Sequence, residues 1–168
     1  MEIYSPKMPD QPALKKLDLT IARLRLLLAD VSARERALED QRRTCRDQRE
    51  KLITFSMYGD SSLDSVLSML DDVDERLAQV ENKARSLAAV RKRATDELES
   101  LQLTKGVEEA KVLLSELQAR QAEPVGSPGA LSPEEIQAEI ARLQALINEA
   151  SERAAKSLRL QRAAKGQT

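Results

Sequence analysis

The side chains that could carry out chemistry are few in this sequence of 168 residues. It has no histidine, which is the commonest general base and metal ligand in proteins, and its one cysteine is Cys45. No serine lies at the spacing of a nucleophile elbow, and no glycine-rich loop that could hold a phosphate is present. We therefore expect no enzyme activity, no catalytic or metal-binding residue, no cofactor and no small-molecule substrate.

Cys45 falls on the apolar side of a predicted helix, where a free cysteine usually serves as a small buried hydrophobe. The alternative is a redox contact between two copies of the chain. A single cysteine cannot form an internal disulfide, which is typical of a reducing compartment. The sequence has no run of eighteen apolar residues and no apolar signal-peptide core at its start. These features together predict a cytoplasmic protein.

A series of cations near the C-terminus is a second candidate site. Cations can bind nucleic-acid phosphates or anionic lipid. These recur every third residue and so spread around a helix, and no aromatic residue accompanies them to stack on bases. We expect a solvated helix end, with nucleic-acid binding as the alternative. The tail residues are Arg153, Lys156, Arg159, Arg162 and Lys165.

The third candidate site is the stretch ITFSMYGDSS, residues 53–62, in a sequence that is only 2% aromatic. It contains Phe55, Met57 and Tyr58 between two long charged and aliphatic segments. One interpretation is structural, with the three side chains folding over the last apolar layer of a helix pair. The other is a contact surface, because large apolar groups make good anchors for a protein partner.

Long helices are predicted to position these groups, since 33% of the residues are charged and 41% are hydrophobic. In the first helix, residues 13–56, one heptad position is apolar throughout, and we call the side formed by such positions the seam. The second seam position of the heptad is leucine or isoleucine in the first part of the helix and then becomes polar, at Glu35, Arg42 and Arg49. The apolar heptad position consists of Leu17, Leu24, Val31, Leu38, Cys45 and Leu52.

A second helix is predicted over residues 61–121, with Asp60, Ser61 and Ser62 as candidate N-caps. Its seam begins at Leu63 and contains one polar residue, Arg91, which we expect to specify the register or to extend outward. Gly106 is expected to lie within a continuous helix. The sequence SPEE, with Ser132 as the N-cap, predicts the start of a third helix that ends near residue 162.

The first two helices are predicted to form an antiparallel hairpin. The end of the first is basic and the start of the second is acidic, so folding back at Gly59 would pair opposite charges. The numbers of facing residues are expected to sum to roughly 115, which places Leu52 opposite Leu63. In that register Arg42 and Arg49 lie beside Asp71 and Asp74.

The predicted fold is therefore all-α, a long antiparallel coiled-coil hairpin with a third helix packing on its base. Leu26 and Leu27 are expected to supply a second wall for that third helix. The predicted segments are an extended region 1–12, the hairpin 13–121 with its tip at 53–62, a flexible linker 122–131, and the third helix 132–162 with a basic tail to 168.

This architecture favours a non-enzymatic coiled-coil interaction protein, either an adaptor, a scaffold or a stalk subunit. We expect it to self-associate or to join a larger assembly, and to present its tip to a protein partner. The net charge of −1 gives the chain no overall attraction to nucleic acid or to anionic membranes. A membrane-surface or chaperone-like helical protein and a nucleic-acid accessory protein remain alternatives.

Overall fold

The structure, a computed structural model, describes residues 12–121 and 131–165, without the side chains of 158, 161, 162, 164 and 165. It has three helices: α1 (Pro12–Tyr58), α2 (Leu63–Gln121) and α3 (Pro133–Lys165). The described residues contain no strand, so the all-α prediction is confirmed. The predicted extended segment before Pro12 and all but the last residue of the predicted linker lie outside the described residues.

The chain divides into two compact units. The hairpin unit is Arg23–Glu97 and contains the end of α1, the turn at residues 59–62 and the first part of α2. In the three-helix unit the described residues are 12–22, 98–121 and 131–165. α2 continues through Gly106 without a break, as predicted.

A narrow seam of mostly β-branched and small side chains holds the hairpin unit together. Alternating steps of three and four residues place these side chains on one side of each helix, which brings them together when the helices run antiparallel. The one buried cysteine, Cys45, is among them, which agrees with its predicted structural role. The buried apolar residues of this unit are Val31, Cys45, Val66, Val73, Val80 and Ala94.

The register of the hairpin differs from the predicted one. Arg49 Nε lies 2.9 Å from the carboxylate of Asp74, as expected for that pair, but their numbers sum to 123. Leu63, which was expected to face Leu52, is 64% exposed. The physical reason is that α1 continues for six residues past Leu52 and is followed by a turn of only four residues, so the turn is centred near residue 60.

A second consequence of this register concerns Arg42. It was expected beside Asp71, but its guanidinium binds Glu39 on its own helix at 3.0 Å. The Nε atom of Arg42 is buried and has no hydrogen-bond partner among the described residues. The charge pattern therefore predicted the antiparallel direction correctly and only one of the two pairs.

In the three-helix unit, α3 packs against the last part of α2. Their shared apolar cluster explains why α3 forms here, because isolated helices need such a partner for most of their stability. Gln121 and Gln137 are hydrogen-bonded beside it at 2.9 Å. The buried members of the cluster are Ala110, Leu117, Ile136, Ile140 and Leu143, with Leu114 and Ile147 partly buried against them.

The start of α3 is the capping box that SPEE predicts. The Glu135 amide donates to Ser132 Oγ at 3.2 Å, and the Ser132 amide donates to the Glu135 carboxylate at 2.9 Å. Leu26 and Leu27, the expected second wall for α3, are 71% and 41% exposed, so neither side chain is buried.

Candidate functional site

The tip of the hairpin unit is a tight turn built around Gly59. Its amide donates a hydrogen bond to the Phe55 carbonyl at 2.7 Å and so closes the last turn of α1. A Cβ at this position would lie 2.6 Å from that oxygen and 2.9 Å from two carbons of the Phe55 ring. α2 is then capped by Ser62, one of the three predicted N-caps, whose hydroxyl accepts from the Ser65 amide at 3.3 Å.

The three predicted contact residues at the tip differ in their surroundings. Phe55 is half exposed, and one edge of its ring lies against Gly59. Met57 and Tyr58 are 69% and 86% exposed, so most of their surface faces solvent rather than covering the seam. Phe55 therefore has a structural contact, whereas the other two side chains are held at the surface by the end of α1.

Sequence reasoning missed three more apolar side chains at this tip. Leu63, Leu67 and Met69 are exposed at the start of α2, while Val66 between them is 1% exposed. The prediction placed Leu63 in the seam because its spacing to Val66 fits a heptad. Because the turn is short, Leu63 lies beyond the last residue of α1 that could cover it. The signal that could have shown this is the length of the turn, since a four-residue connection fixes where α2 begins to pack.

Shallow grooves lie near the tip of the hairpin unit. The first follows the outer surface of α1, and the second lies between α1 and α2. Lys51 borders both. The first is lined by Asp47, Glu50, Lys51, Thr54, Phe55, Tyr58 and Gly59, and the second by Gln48, Lys51, Leu52, Met69, Asp72, Val73 and Arg76.

The charge of the tip is strongly one-sided. Residues 52–75 contain six acidic side chains and no lysine or arginine. Asp74 is held by Arg49, but none of the other five forms an ion pair with a described residue. The region that exposes the apolar side chains is thus net negative, with Lys51 and Arg76 at its edge. The six acids are Asp60, Asp64, Asp71, Asp72, Asp74 and Glu75.

A polar layer interrupts the seam elsewhere in the hairpin unit. Arg91 donates from Nε and from one terminal nitrogen to both carboxylate oxygens of Glu35 at 2.6–3.1 Å. The same guanidinium donates to Ser32 Oγ at 2.7 Å. The hydrogen bonding between the two side chains lowers the pKa of the Glu35 carboxyl and raises the pKa of the Arg91 guanidinium. Arg91 thus pairs across the hairpin, which agrees with the first of its two predicted roles.

The basic tail shows no convergent arrangement in the part of it that is described. Arg153 binds Glu149 one turn earlier on α3, and the Lys156 and Arg159 side chains are exposed. The side chains of Arg162 and Lys165 lie outside the described residues. No group of three or more His, Cys, Asp or Glu side chains that could hold a metal ion occurs among the described residues.

None of the helices in the described part of the chain is both long enough and apolar enough to cross a membrane. Comparisons of the chain with protein-family models, with curated proteins and with solved structures found no match. Inference about its function therefore rests on its own residues.

Proposed function

We propose that this protein is a non-enzymatic coiled-coil interaction protein, an adaptor, scaffold or stalk subunit, that binds a protein partner with the tip of its hairpin. The observation that carries the proposal is the exposure of Met57 and Tyr58 at the end of α1. Large apolar side chains that neighbours leave uncovered mark interaction sites, because their burial by a partner removes apolar surface from water. Aromatic side chains are also enriched among the residues that dominate binding energy.

The same proposal includes self-association or membership of a larger assembly. Leu26 supports it, because it is exposed on the side of α1 that lies opposite the hairpin seam, and Leu27 is exposed beside that seam. Coiled-coil helices with two apolar sides can contact a second helix in addition to the first. Burial of Leu26 in such a contact would remove one of the largest exposed apolar side chains of the hairpin unit.

The test is capture of partners from the native cell by the full chain and by Met57→Ser/Tyr58→Ser. Both side chains are mainly exposed, so the double variant should keep the melting temperature of the parent protein and lose its principal partner. Leu113→Ser is the matched control, since Leu113 is half exposed and lies outside the tip. An unchanged set of captured proteins would contradict tip binding, and sedimentation velocity of the same preparations reports self-association.

A further inference from the structure

We infer that the hairpin tip binds a basic amphipathic segment of its partner, which docks on one side of the tip through an apolar strip bordered by aspartates. This inference rests on the proposed tip binding and specifies the chemistry of the partner. The strip consists of Ile53 and Met57 on α1 with Leu63 and Leu67 on α2. Met57, Leu63 and Leu67 are exposed, and Ile53 is half-buried.

The ion pair between Arg49 and Asp74 places these four side chains on the same side of the hairpin unit. Ile53 and Met57 follow Arg49 by four and eight residues, so they share its side of α1. Leu67 precedes Asp74 by seven residues, and Leu63 lies one turn before Leu67. Because Arg49 and Asp74 meet at 2.9 Å, those two helix faces adjoin each other across the hairpin.

The border of the strip is acidic. Asp60 lies in the turn, Asp64 follows Leu63 directly, and Asp71 lies one turn after Leu67. None of the three carboxylates forms an ion pair with a described residue. On this side of α1, Arg49 is bound to Asp74, and Arg46 lies seven residues before Ile53, two turns further from the tip. A docked segment must therefore bring its own cations to compensate these charges.

The shape and charge of this site select among possible occupants. Anionic lipid and nucleic-acid phosphates would be repelled by the aspartates, and so would a second acidic tip. Leucines one turn apart provide the ridge that amphipathic helices recognise, and the unbranched Met57 can adapt to different side chains. A helical segment with an apolar face bordered by lysine or arginine satisfies both requirements.

The test uses a labelled synthetic helical peptide whose leucines follow steps of three and four and whose other positions are mainly lysine. Its control has the same leucines with glutamate in place of lysine. Binding to the full chain is measured by fluorescence anisotropy at low and at moderate salt, and the contact is mapped by NMR chemical-shift changes. We expect the lysine peptide to bind at residues 53–71 with salt-sensitive affinity, and the glutamate peptide to bind at least tenfold more weakly.

Two sets of variants then separate the apolar and the charged contributions. Leu63→Ser/Leu67→Ser should abolish binding without loss of the fold, because both side chains are exposed. Asp60→Asn/Asp64→Asn/Asp71→Asn should weaken binding roughly tenfold, since three exposed ion pairs are lost. Asp40→Asn/Asp96→Asn/Glu97→Gln is the matched control, because it removes the same charge from exposed positions of the hairpin unit away from the tip and should leave the affinity unchanged.

Three results would overturn the inference: equal binding of the two peptides, equal effects of the two charge-removing triple variants, or stronger binding of the chain to phosphatidylserine vesicles than to the lysine peptide. The proposed function is tested separately by capture with Met57→Ser/Tyr58→Ser. A cross-linker placed at position 67 identifies the segment of the partner that contacts the tip. If a cellular partner requires the tip but its cross-linked segment is acidic, tip binding stands and the inference of a basic partner is refuted.

Discussion

Helix α2 presents apolar side chains in both units, and a third helix covers them in only one. In the three-helix unit, Ile140 and Leu143 of α3 bury Leu117 and Ala110 in a shared cluster. In the hairpin unit, Leu63 and Leu67 near the start of α2 remain exposed. The residue types are alike in the two places, so exposure at the tip reflects the lack of a covering helix rather than a difference in composition.

The comparison teaches that similar leucines contribute to stability in one unit and remain available for binding in the other. Burial of a leucine side chain stabilises a fold by about 1.5–3 kcal/mol. An exposed leucine contributes little of this until a partner covers it. Stability measurements on paired substitutions therefore distinguish the two kinds of site.

The largest effect is expected from Leu143→Ala, because Leu143 is 4% exposed within the cluster of α2 and α3. Removing its buried methyl groups should lower the free energy of unfolding by about 2–5 kcal/mol. The same substitution at half-exposed Leu67 should lower it by about 1 kcal/mol or less, because only half of that side chain is covered. Urea denaturation followed by circular dichroism measures both values, and equal losses would show that the tip leucine is covered in solution.

A second contrast uses the two helix-associated glycines, one in each unit. Gly59→Ala should destabilise the hairpin unit by about 1 kcal/mol or more, since the new Cβ would collide with the Phe55 carbonyl and ring. Gly106→Ala should stabilise by about 0.5–1 kcal/mol, because that Cβ would have no atom within 4 Å and the unfolded chain loses freedom. Melting temperatures that move in the same direction would refute the contrast.

The sequence allowed the fold class and the antiparallel direction to be predicted, because heptad spacing and opposite charges act through the whole length of a helix. The start of α3 was also predictable, since the capping box of Ser132 and Glu135 is a local interaction. The register and the exposed Leu63 and Leu67 were not. They depend on the length of the turn after Tyr58, and a shift of a few residues there moves a leucine from the seam to the surface.

The candidate site was predicted only in its location. Composition alone drew attention to Phe55, Met57 and Tyr58, and the structure separates Phe55, which packs on Gly59, from the two exposed side chains. Arg91 and Glu35 were visible in the sequence only as separate polar interruptions of two seams, and Ser32 gave no signal. Which acid meets Arg91 follows from the register, which the sequence did not determine.

The smallest expected effect is a difference between the two units in how the stabilisation from one ion pair depends on pH. In the hairpin unit, the hydrogen bond from Arg91 lowers the pKa of Glu35 from its usual 4.5. Ionised Glu35 therefore stabilises the folded state above that pH, and this contribution disappears as the pH falls through the lower pKa of the folded protein. In the three-helix unit, Lys105 lies 2.6 Å from Asp18, and this contact raises the pKa of Lys105 above 10.5.

Protonated Lys105 therefore stabilises below pH 10.5, and its contribution disappears as the pH rises through the higher pKa of the folded protein. Urea denaturation of the parent protein, Glu35→Gln and Lys105→Met measures both contributions. The deficit of Glu35→Gln should be present at about pH 7 and shrink as the pH falls below 4.5, whereas that of Lys105→Met should be present at about pH 7 and shrink as the pH rises above 10.5. Because these side chains are partly solvated, both deficits should be smaller than that of Leu143→Ala. A deficit of Glu35→Gln that is unchanged at acidic pH would show that Arg91 does not hold Glu35 in solution.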